Sequence, residues 1–335
     1  MVVQLTPDLV VSLLIAAAAL AVLVKAAGAT VDSLISLARH YDVPDAVVAS
    51  TLVALGTSLP ELGSHLVASL GIVSGTLDPV VASATVMGGN MGSSTVQQTL
   101  LVGLFLVGFG RVTLSDSFRR ATYYPMLAAF ALTLLVAVDG RISRLDGLVL
   151  LAGFAAYTYW TVSSHSSHSS HDRSEPLPDT VSTRPRRDVL VALAGFVLVL
   201  GSAFVVLRVV DDLVTTLGLN GSMVGVVTIG LAAALPELTT VVESLRRRTP
   251  ELALGTLVGS NVVNPLVGFG LGGVVSTYAV PPSVVQWDLP FKLVVGVAFL
   301  LAARRGGWVV RRREGAWLVV AYLVFLSVRF LLFAV

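Results

Sequence analysis

Two glutamates lie within apolar stretches of this sequence, each directly after a Leu-Pro pair. Glu61 ends the stretch GTSLPE, and Glu237 ends the similar stretch AAALPE. A charged side chain at the centre of a bilayer costs about 2.5–3.5 kcal/mol on insertion scales, so a glutamate there indicates a functional site. A proline inside a helix frees a backbone carbonyl one turn earlier, and Thr57 and Ser58 add hydroxyl groups. Such oxygens are the ligands that suit Ca²⁺ or Na⁺, whereas zinc and copper favour nitrogen or sulfur.

A second polar pattern follows each glutamate. Two stretches align without gaps: GGNMGSSTVQQTLLVG at 88–103 and GTLVGSNVVNPLVGFG at 255–270. Each places an amide four residues after a serine, in the pairs Ser93 with Gln97 and Ser260 with Asn264. Residues four apart share one face of a helix, so each half of the chain predicts a helix that presents a hydroxyl and an amide together. If the two half-sites meet, the two glutamates face one another.

The composition indicates an all-α, polytopic membrane protein. The 335 residues are 55% hydrophobic and 13% charged, whereas soluble domains carry about 25% charged residues. Apolar runs of about 20 residues predict membrane-spanning helices, and we interpret the N-terminal run as the first of them rather than as a signal peptide. Ten helices are predicted, at approximately 8–36, 46–72, 79–108, 118–138, 145–162, 188–215, 222–245, 251–275, 285–303 and 314–334. The chain has no cysteine, which excludes disulfides and cysteine-based metal or redox chemistry.

A polar segment divides the chain. Residues 163–188 are rich in Ser, His and Pro, a composition typical of disorder. We therefore predict a first five-helix repeat, a linker and a second five-helix repeat at 1–162, 163–187 and 188–335, with the repeated motifs inside 46–108 and 222–275. Because each repeat has an odd number of helices, the two repeats must insert with opposite orientation. Inverted repeats with interrupted helices at the midplane are typical of secondary transporters, and they favour alternating access over a channel.

Basic residues predict the orientation. One set of alternate loops carries sixteen arginines, and the opposite set carries Arg141 and Arg144. Cytoplasmic loops are enriched in Lys and Arg, so the first set, which includes the linker, is predicted to be cytoplasmic. Both termini then lie outside a cell membrane that the chain crosses many times. The formal net charge of +2 gives no indication of nucleic-acid binding.

The paired glutamates also suggest a mechanism. Two ionised carboxylates give a charge of −2 in a site of low dielectric constant, and such a site resists closing when it is empty. One Ca²⁺, two Na⁺ or two protons neutralise it. If only the neutral site can reorient, the protein is an obligate exchanger.

These motifs resemble the two α-repeats of the sodium/calcium exchanger family, within the cation/calcium antiporter superfamily. The likeness covers GTSLPE, the serine–amide helix that follows it, and their inverted repetition. It implies cation antiport, with Ca²⁺ and Na⁺ as the transported ions. The residues that match the family's ligand positions are Thr57, Ser58, Glu61, Ser93 and Gln97 in the first half, and Glu237, Ser260 and Asn264 in the second.

The sequence departs from the family pattern at three positions. Ala233 and Ala234 replace the usual Thr-Ser of the second repeat, and Gln97 is one methylene longer than the usual Asn. We therefore expect more ligands from the first half than from the second. Exchange of Ca²⁺ for protons, exchange of another divalent cation with altered stoichiometry, and a transport-impaired cation-binding protein remain alternatives to Ca²⁺/Na⁺ exchange.

Other function classes have less support in the sequence. No H-E-x-x-H metalloprotease motif is present, and we predict no enzymatic activity and no cofactor. We interpret His65 as a residue at the outer membrane edge without a role, and the three histidines of the linker as part of a flexible segment. The predicted partners are the lipid bilayer and the transported cations, with no nucleic acid. The sequence does not identify protein partners and is compatible with a monomer.

Overall fold

The structure is a computed structural model that describes residues 7–41, 58–166, 184–218, 220–248 and 250–333. Every long element in these ranges is helical. Seven helices are long and apolar enough to span a membrane, and two shorter apolar helices accompany them, at Leu59–Val73 and Gly221–Ala233. The chain is therefore an all-helical protein that crosses the membrane several times.

Five helices form the first half of the chain. They are α1 Pro7–His40, α2 Leu59–Val73, α3 Pro79–Phe109, α4 Asp116–Ala137 and α5 Arg144–Ser166. The middle of α3 is a π-helical segment, Val96–Leu101.

The second half contains α6 Pro185–Leu217, α7 Gly221–Ala233, α8 Leu235–Arg247, α9, α10 Val284–Arg305 and α11 Arg312–Phe333. The α9 helix consists of Pro250–Val263, the π-helical segment Asn264–Phe269, and Gly270–Ser276. The linker predicted at 163–187 is narrower than expected at both ends, since α5 continues to Ser166 and α6 begins at Pro185. A proline is favoured in the first turn of a helix, where its missing N–H is not needed.

The prolines of the two Leu-Pro-Glu motifs also lie in first turns. Pro60 follows the first residue of α2, and Pro236 follows the first residue of α8. The expectation of a helix interrupted next to the Leu-Pro pair is therefore confirmed for the helix predicted at 222–245. In the second half the helix ends at Ala233 and restarts at Leu235, and the residues before Ser58 lie outside the described part of the chain. Both glutamates consequently lie at helix N-termini, where the helix dipole favours negative charge.

Two short antiparallel ribbons connect loops of the two halves. Strand β1, Arg111–Thr113, pairs with β4, Val309–Arg311. Strand β2, Arg141–Ile142, pairs with β3, Tyr278–Ala279. The α4 helix runs from β1 to β2 and α10 runs from β3 to β4. The helices α4 and α10 therefore run in opposite directions between the same two ribbons. Each is the fourth helix of its half in the predicted ten-helix arrangement.

Close backbone contact between α3 and α7 forms the centre of the bundle. A Cβ atom at Gly92 would lie 2.9 Å from the backbone of Val226, and one at Gly88 would overlap the backbone carbonyl of Ser222. Small residues at such contacts let membrane helices approach one another. The α6 helix packs along α1, and α11 packs along the second part of α3.

Candidate cation-binding site

Glu61 lies in the first turn of α2 and is 1% exposed. Its Oε1 atom accepts a hydrogen bond from the hydroxyl of Ser93 at 2.7 Å and another from the Nδ2 atom of Asn264 at 3.3 Å. Ser93 belongs to α3 and Asn264 to α9. The carboxylate is therefore oriented by one donor from each half of the chain.

The same hydrogen-bonded chain continues through Gln97. Its Nε2 atom donates to the hydroxyl of Ser93 at 3.2 Å, and its Oε1 atom accepts from Nδ2 of Asn261 at 3.1 Å. Gln97 and Asn264 both lie in π-helical segments, which are frequent at functional sites. The chain of contacts crosses between the halves at both ends, at Asn261 and at Asn264.

Glu237 occupies the corresponding first turn of α8 and is also 1% exposed. It is close enough to Glu61 for the two carboxylates to repel each other. Neither of its oxygens has a hydrogen-bond partner among the described residues. The second glutamate is therefore buried without the orienting bonds that hold the first.

The remaining predicted residues differ in their surroundings. Ser58 is fully buried before α2, and its hydroxyl has no partner in the described ranges. Ser260 is buried on α9, and its hydroxyl donates to the backbone carbonyl of Thr256 at 3.1 Å. Thr57 lies outside the described residues. Ala233 and Ala234 are buried where the first repeat has its hydroxyl pair, so the second repeat supplies no side-chain oxygen there.

Several buried oxygens near these residues are unpartnered within 58–166 and 220–333. They are Ser58 Oγ, Glu61 Oε2, Asn261 Oδ1, Asn264 Oδ1 and both carboxylate oxygens of Glu237. A buried polar atom without a partner costs about 1–3 kcal/mol. Carboxylate, amide and hydroxyl oxygens together are a donor set that suits a hard cation. No cluster of three or more His, Asp or Glu occurs among the described residues, so a cation held here would need the amide and hydroxyl oxygens as well as the two carboxylates.

Sequence reasoning missed three polar residues next to this site. Asn261 bonds to Gln97, whereas the alignment of the repeats drew attention to Ser260 and Asn264 instead. Asn90, on α3, donates to the backbone carbonyl of Asn264 at 2.8 Å. His65, interpreted from the sequence as a residue without a role at the outer membrane edge, has a fully buried side chain that contacts Asn90. Polar residues inside apolar runs are costly, and that cost is the sequence signal that could have identified all three.

A second buried polar cluster connects α10 and α11. Arg329 lies 3.1 Å from Asp288 and donates to the hydroxyl of Ser222 on α7 at 2.7 Å. The ammonium group of Lys292 lies 4.0 Å from the centre of the Phe130 ring. None of these residues was predicted to matter. The cluster ties the last two helices to α7 and therefore supports the core rather than adding to the oxygen set around Glu61.

Comparison with known proteins assigns the chain to a family. The model of the sodium/calcium exchanger protein family matches residues 11–163 and 188–331. The chain is 25% identical to the sodium/calcium exchanger MaX1 of Methanosarcina acetivorans, covering 96% of this chain and 99% of that protein. It is 24% identical to the putative antiporter CaxA of Alkalimonas amylolytica, covering 89% and 91%.

Solved structures share the fold. The sodium-calcium exchanger NCX_Mj superposes with a TM-score of 0.61 at 19% identity, covering 95% of this chain and 98% of that one. The H⁺/Ca²⁺ exchanger CAX superposes with a TM-score of 0.75 at 16% identity, covering 97% and 82%. The family match spans both helical halves and omits the polar segment between them, as the resemblance of the repeated motifs predicted. The chain belongs to the sodium/calcium exchanger protein family, whose members are cation antiporters of the membrane.

Proposed function

We propose that this antiporter exchanges Ca²⁺ for Na⁺ by alternating access at a midplane site around Glu61 and Glu237. The observation that carries the proposal is the Glu61 carboxylate, which receives Ser93 from one half and Asn264 from the other. A site whose ligands come from both halves changes when one half moves against the other. Such movement is how alternating access exposes a fixed site to each side in turn.

The charge of the site supports obligatory exchange. Two ionised carboxylates repel one another strongly in a medium of low dielectric constant, and Glu237 has no hydrogen bond in the described part of the chain to offset that repulsion. One Ca²⁺ neutralises the pair, and so do two Na⁺. Only the neutral site would close, so each passage of Ca²⁺ requires a return passage of other cations.

We further propose ten membrane spans arranged as two inverted five-helix repeats, with the linker in the cytoplasm and both termini outside. The opposite directions of α4 and α10 support the inversion. The pairing of β1 with β4 supports the orientation, because it joins the arginine-rich loops around Arg111 and Arg311 on one side of the bundle. Cytoplasmic loops are the arginine-rich ones. In this proposal a monomer is sufficient and needs no cofactor or protein partner.

Exchange of Ca²⁺ for protons is the second candidate, and one observation favours it. The buried Ala233 and Ala234 remove two hydroxyl oxygens from the second repeat. Na⁺ needs oxygen ligands, whereas a proton needs only a carboxylate. The fold is shared by the solved Na⁺-coupled and H⁺-coupled exchangers, so the fold does not choose between the coupling ions.

Flux measurements in proteoliposomes test both candidates. Purified protein is reconstituted, and uptake of ⁴⁵Ca²⁺ is followed under an outward gradient of Na⁺, K⁺ or H⁺. Ca²⁺/Na⁺ exchange predicts uptake that requires internal Na⁺, and uptake driven equally well by protons alone supports the second candidate. Uptake with no counter-cation inside contradicts exchange altogether.

Variants of the two glutamates test the site. Glu61→Gln and Glu237→Gln should each abolish uptake, because either change leaves one negative charge that Ca²⁺ overcompensates. The control is Glu314→Gln, a buried carboxylate that caps the start of α11 by accepting from the backbone of Arg311. Transport by either site variant at the level of the control variant would refute the proposed site.

A further inference from the structure

A second chain of buried hydrogen bonds runs from the candidate site to strand β3. Asn90 donates through Nδ2 to the backbone carbonyl of Asn264 at 2.8 Å, and the same atom lies 3.1 Å from Nε2 of His65. Nδ1 of His65 lies 3.2 Å from the hydroxyl of Tyr278. That hydroxyl also contacts the hydroxyl of Ser69 at 3.0 Å. All five residues are at most 1% exposed.

The direction of every bond in this series follows from two backbone carbonyls, those of Asn264 and His65. A backbone carbonyl only accepts, so the amide nitrogen of Asn90 must face Asn264, and the same NH₂ group then donates to Nε2 of His65. Nε2 of His65 therefore accepts a hydrogen bond and carries no proton. The neutral ring has its proton on Nδ1, which donates to the hydroxyl of Tyr278. The tyrosine hydroxyl donates to the backbone carbonyl of His65 at 3.0 Å, which leaves Ser69 as a donor to Tyr278.

The α9 helix is shaped to hold this chain. A Cβ atom at Gly268 would lie 2.7 Å from Nδ2 of Asn90 and 2.8 Å from Cδ2 of His65, and one at Gly272 would overlap the ring of Tyr278. Glycines one turn apart therefore let the three side chains lie directly against the helix that carries Asn264. The chain is a packed unit rather than a set of chance contacts.

We propose that Asn90 is a positioning residue that fixes Asn264 for cation binding, and that His65, Tyr278 and Ser69 hold Asn90 in the required orientation. The proposal rests on the cation site described above. Asn264 begins a π-helical segment, where backbone hydrogen bonding is less regular than in an α-helix. The hydrogen bond from Asn90 anchors the backbone of Asn264. The side chain of Asn264 donates to Glu61, and its Oδ1 atom has no partner in the described residues.

The arrangement also connects the site to the ribbon of β2 and β3. Tyr278 is a residue of β3 and pairs with Ile142 of β2. A shift of this ribbon would move the tyrosine hydroxyl, and through His65 it would turn the amide of Asn90. The geometry at Asn264 therefore depends on a ribbon at one end of the bundle.

Kinetics of Ca²⁺ transport test the proposal. Asn90→Ala, His65→Leu and Tyr278→Phe should each raise the KM for Ca²⁺, by about threefold to tenfold for the loss of one hydrogen bond, with a smaller effect on the maximal rate. His65→Gln, which keeps an acceptor and a donor, should restore much of the affinity. The control is Tyr123→Phe, which removes a buried tyrosine hydroxyl that donates to the backbone of Gly296 at 2.9 Å, away from the site. Its KM should stay at the wild-type value.

A double variant shows whether His65 acts through Asn90. In the Asn90→Ala background, His65→Leu should have no further effect on KM, because the group that it orients is gone. Additive effects would overturn the proposal, and so would an equal rise of KM in Tyr123→Phe. If Asn90→Ala does not fold, Tyr278→Phe decides, since it removes a single oxygen; an unchanged KM in that variant refutes the proposed chain.

The two proposals fail in different ways. If Glu61→Gln transports normally, the cation site itself is refuted. If Glu61→Gln is inactive while Asn90→Ala keeps the wild-type KM, only the positioning role is refuted.

Discussion

Ser93→Ala removes the centre of the hydrogen-bonded chain that crosses the candidate site. The Ser93 hydroxyl donates to Glu61 at 2.7 Å and accepts from Gln97 at 3.2 Å. A hydrogen bond to a charged group contributes about 1.5–3 kcal/mol, and a neutral one about 0.5–1.5 kcal/mol. Loss of both therefore amounts to about 2–4.5 kcal/mol.

If the whole loss fell on Ca²⁺ binding, it would raise KM by about thirtyfold to sixteen-hundredfold, since about 1.4 kcal/mol corresponds to a factor of ten. Asn264 still donates to the same oxygen of Glu61 at 3.3 Å and limits the disorder of the carboxylate. We therefore expect a rise near the lower end, about thirtyfold.

The neighbouring serine provides a matched control for this variant. Ser94 is equally buried, but its hydroxyl donates only to the backbone carbonyl of Asn90 one turn earlier, at 2.5 Å. Initial rates of ⁴⁵Ca²⁺ uptake are measured over a range of Ca²⁺ concentrations for Ser93→Ala and Ser94→Ala, with thermal unfolding in detergent as a check on folding. Ser94→Ala should leave KM near the wild-type value, because the bond that it removes lies within α3 and does not involve Glu61. Equal effects of the two variants, or a wild-type KM for Ser93→Ala, would refute the assignment of Ser93 to the site.

Two further predictions concern stability. Arg329→Met leaves the buried carboxylate of Asp288 without its ion-pair partner and should lower the free energy of unfolding by about 3–5 kcal/mol; a melting temperature equal to that of the wild type would contradict this. Gly92→Ala places a Cβ atom 2.9 Å from the backbone of Val226 and must separate α3 from α7, which should lower the melting temperature. Gly259→Ala should leave the melting temperature unchanged, because nothing lies within 4 Å of its Cβ position, and an equal loss in both glycine variants would show that helix contact is not the cause.

Local features of the site could be predicted from the sequence because they depend on short-range geometry. The spacing of Ser93 and Gln97 put both on one face of a helix, and the structure shows them bonded to each other. The burial of Glu61 and Glu237 followed from their position in apolar stretches. These features need only the period of the helix and the cost of charge in a bilayer.

Long-range features could not be predicted in the same way. Gln97 bonds to Asn261, 164 residues later in the chain, and no periodicity identifies that partner. The burial of His65 depends on Tyr278, which approaches it from a strand more than 200 residues away.

The prediction that the first repeat supplies more ligands than the second can be set beside the buried oxygens of each repeat. Within the described residues the first repeat has a carboxylate held by two donors, whereas the second has a carboxylate with two unpartnered oxygens. The second repeat adds the unpartnered amide oxygens of Asn261 and Asn264. Amides and a free carboxylate therefore offset the hydroxyls that Ala233 and Ala234 remove. Glu61 is already oriented by two donors, whereas Glu237 has no hydrogen-bond partner among the described residues. If a cation binds as proposed, it therefore has to organise mainly the second half, and Glu237→Gln should impair transport at least as strongly as Glu61→Gln.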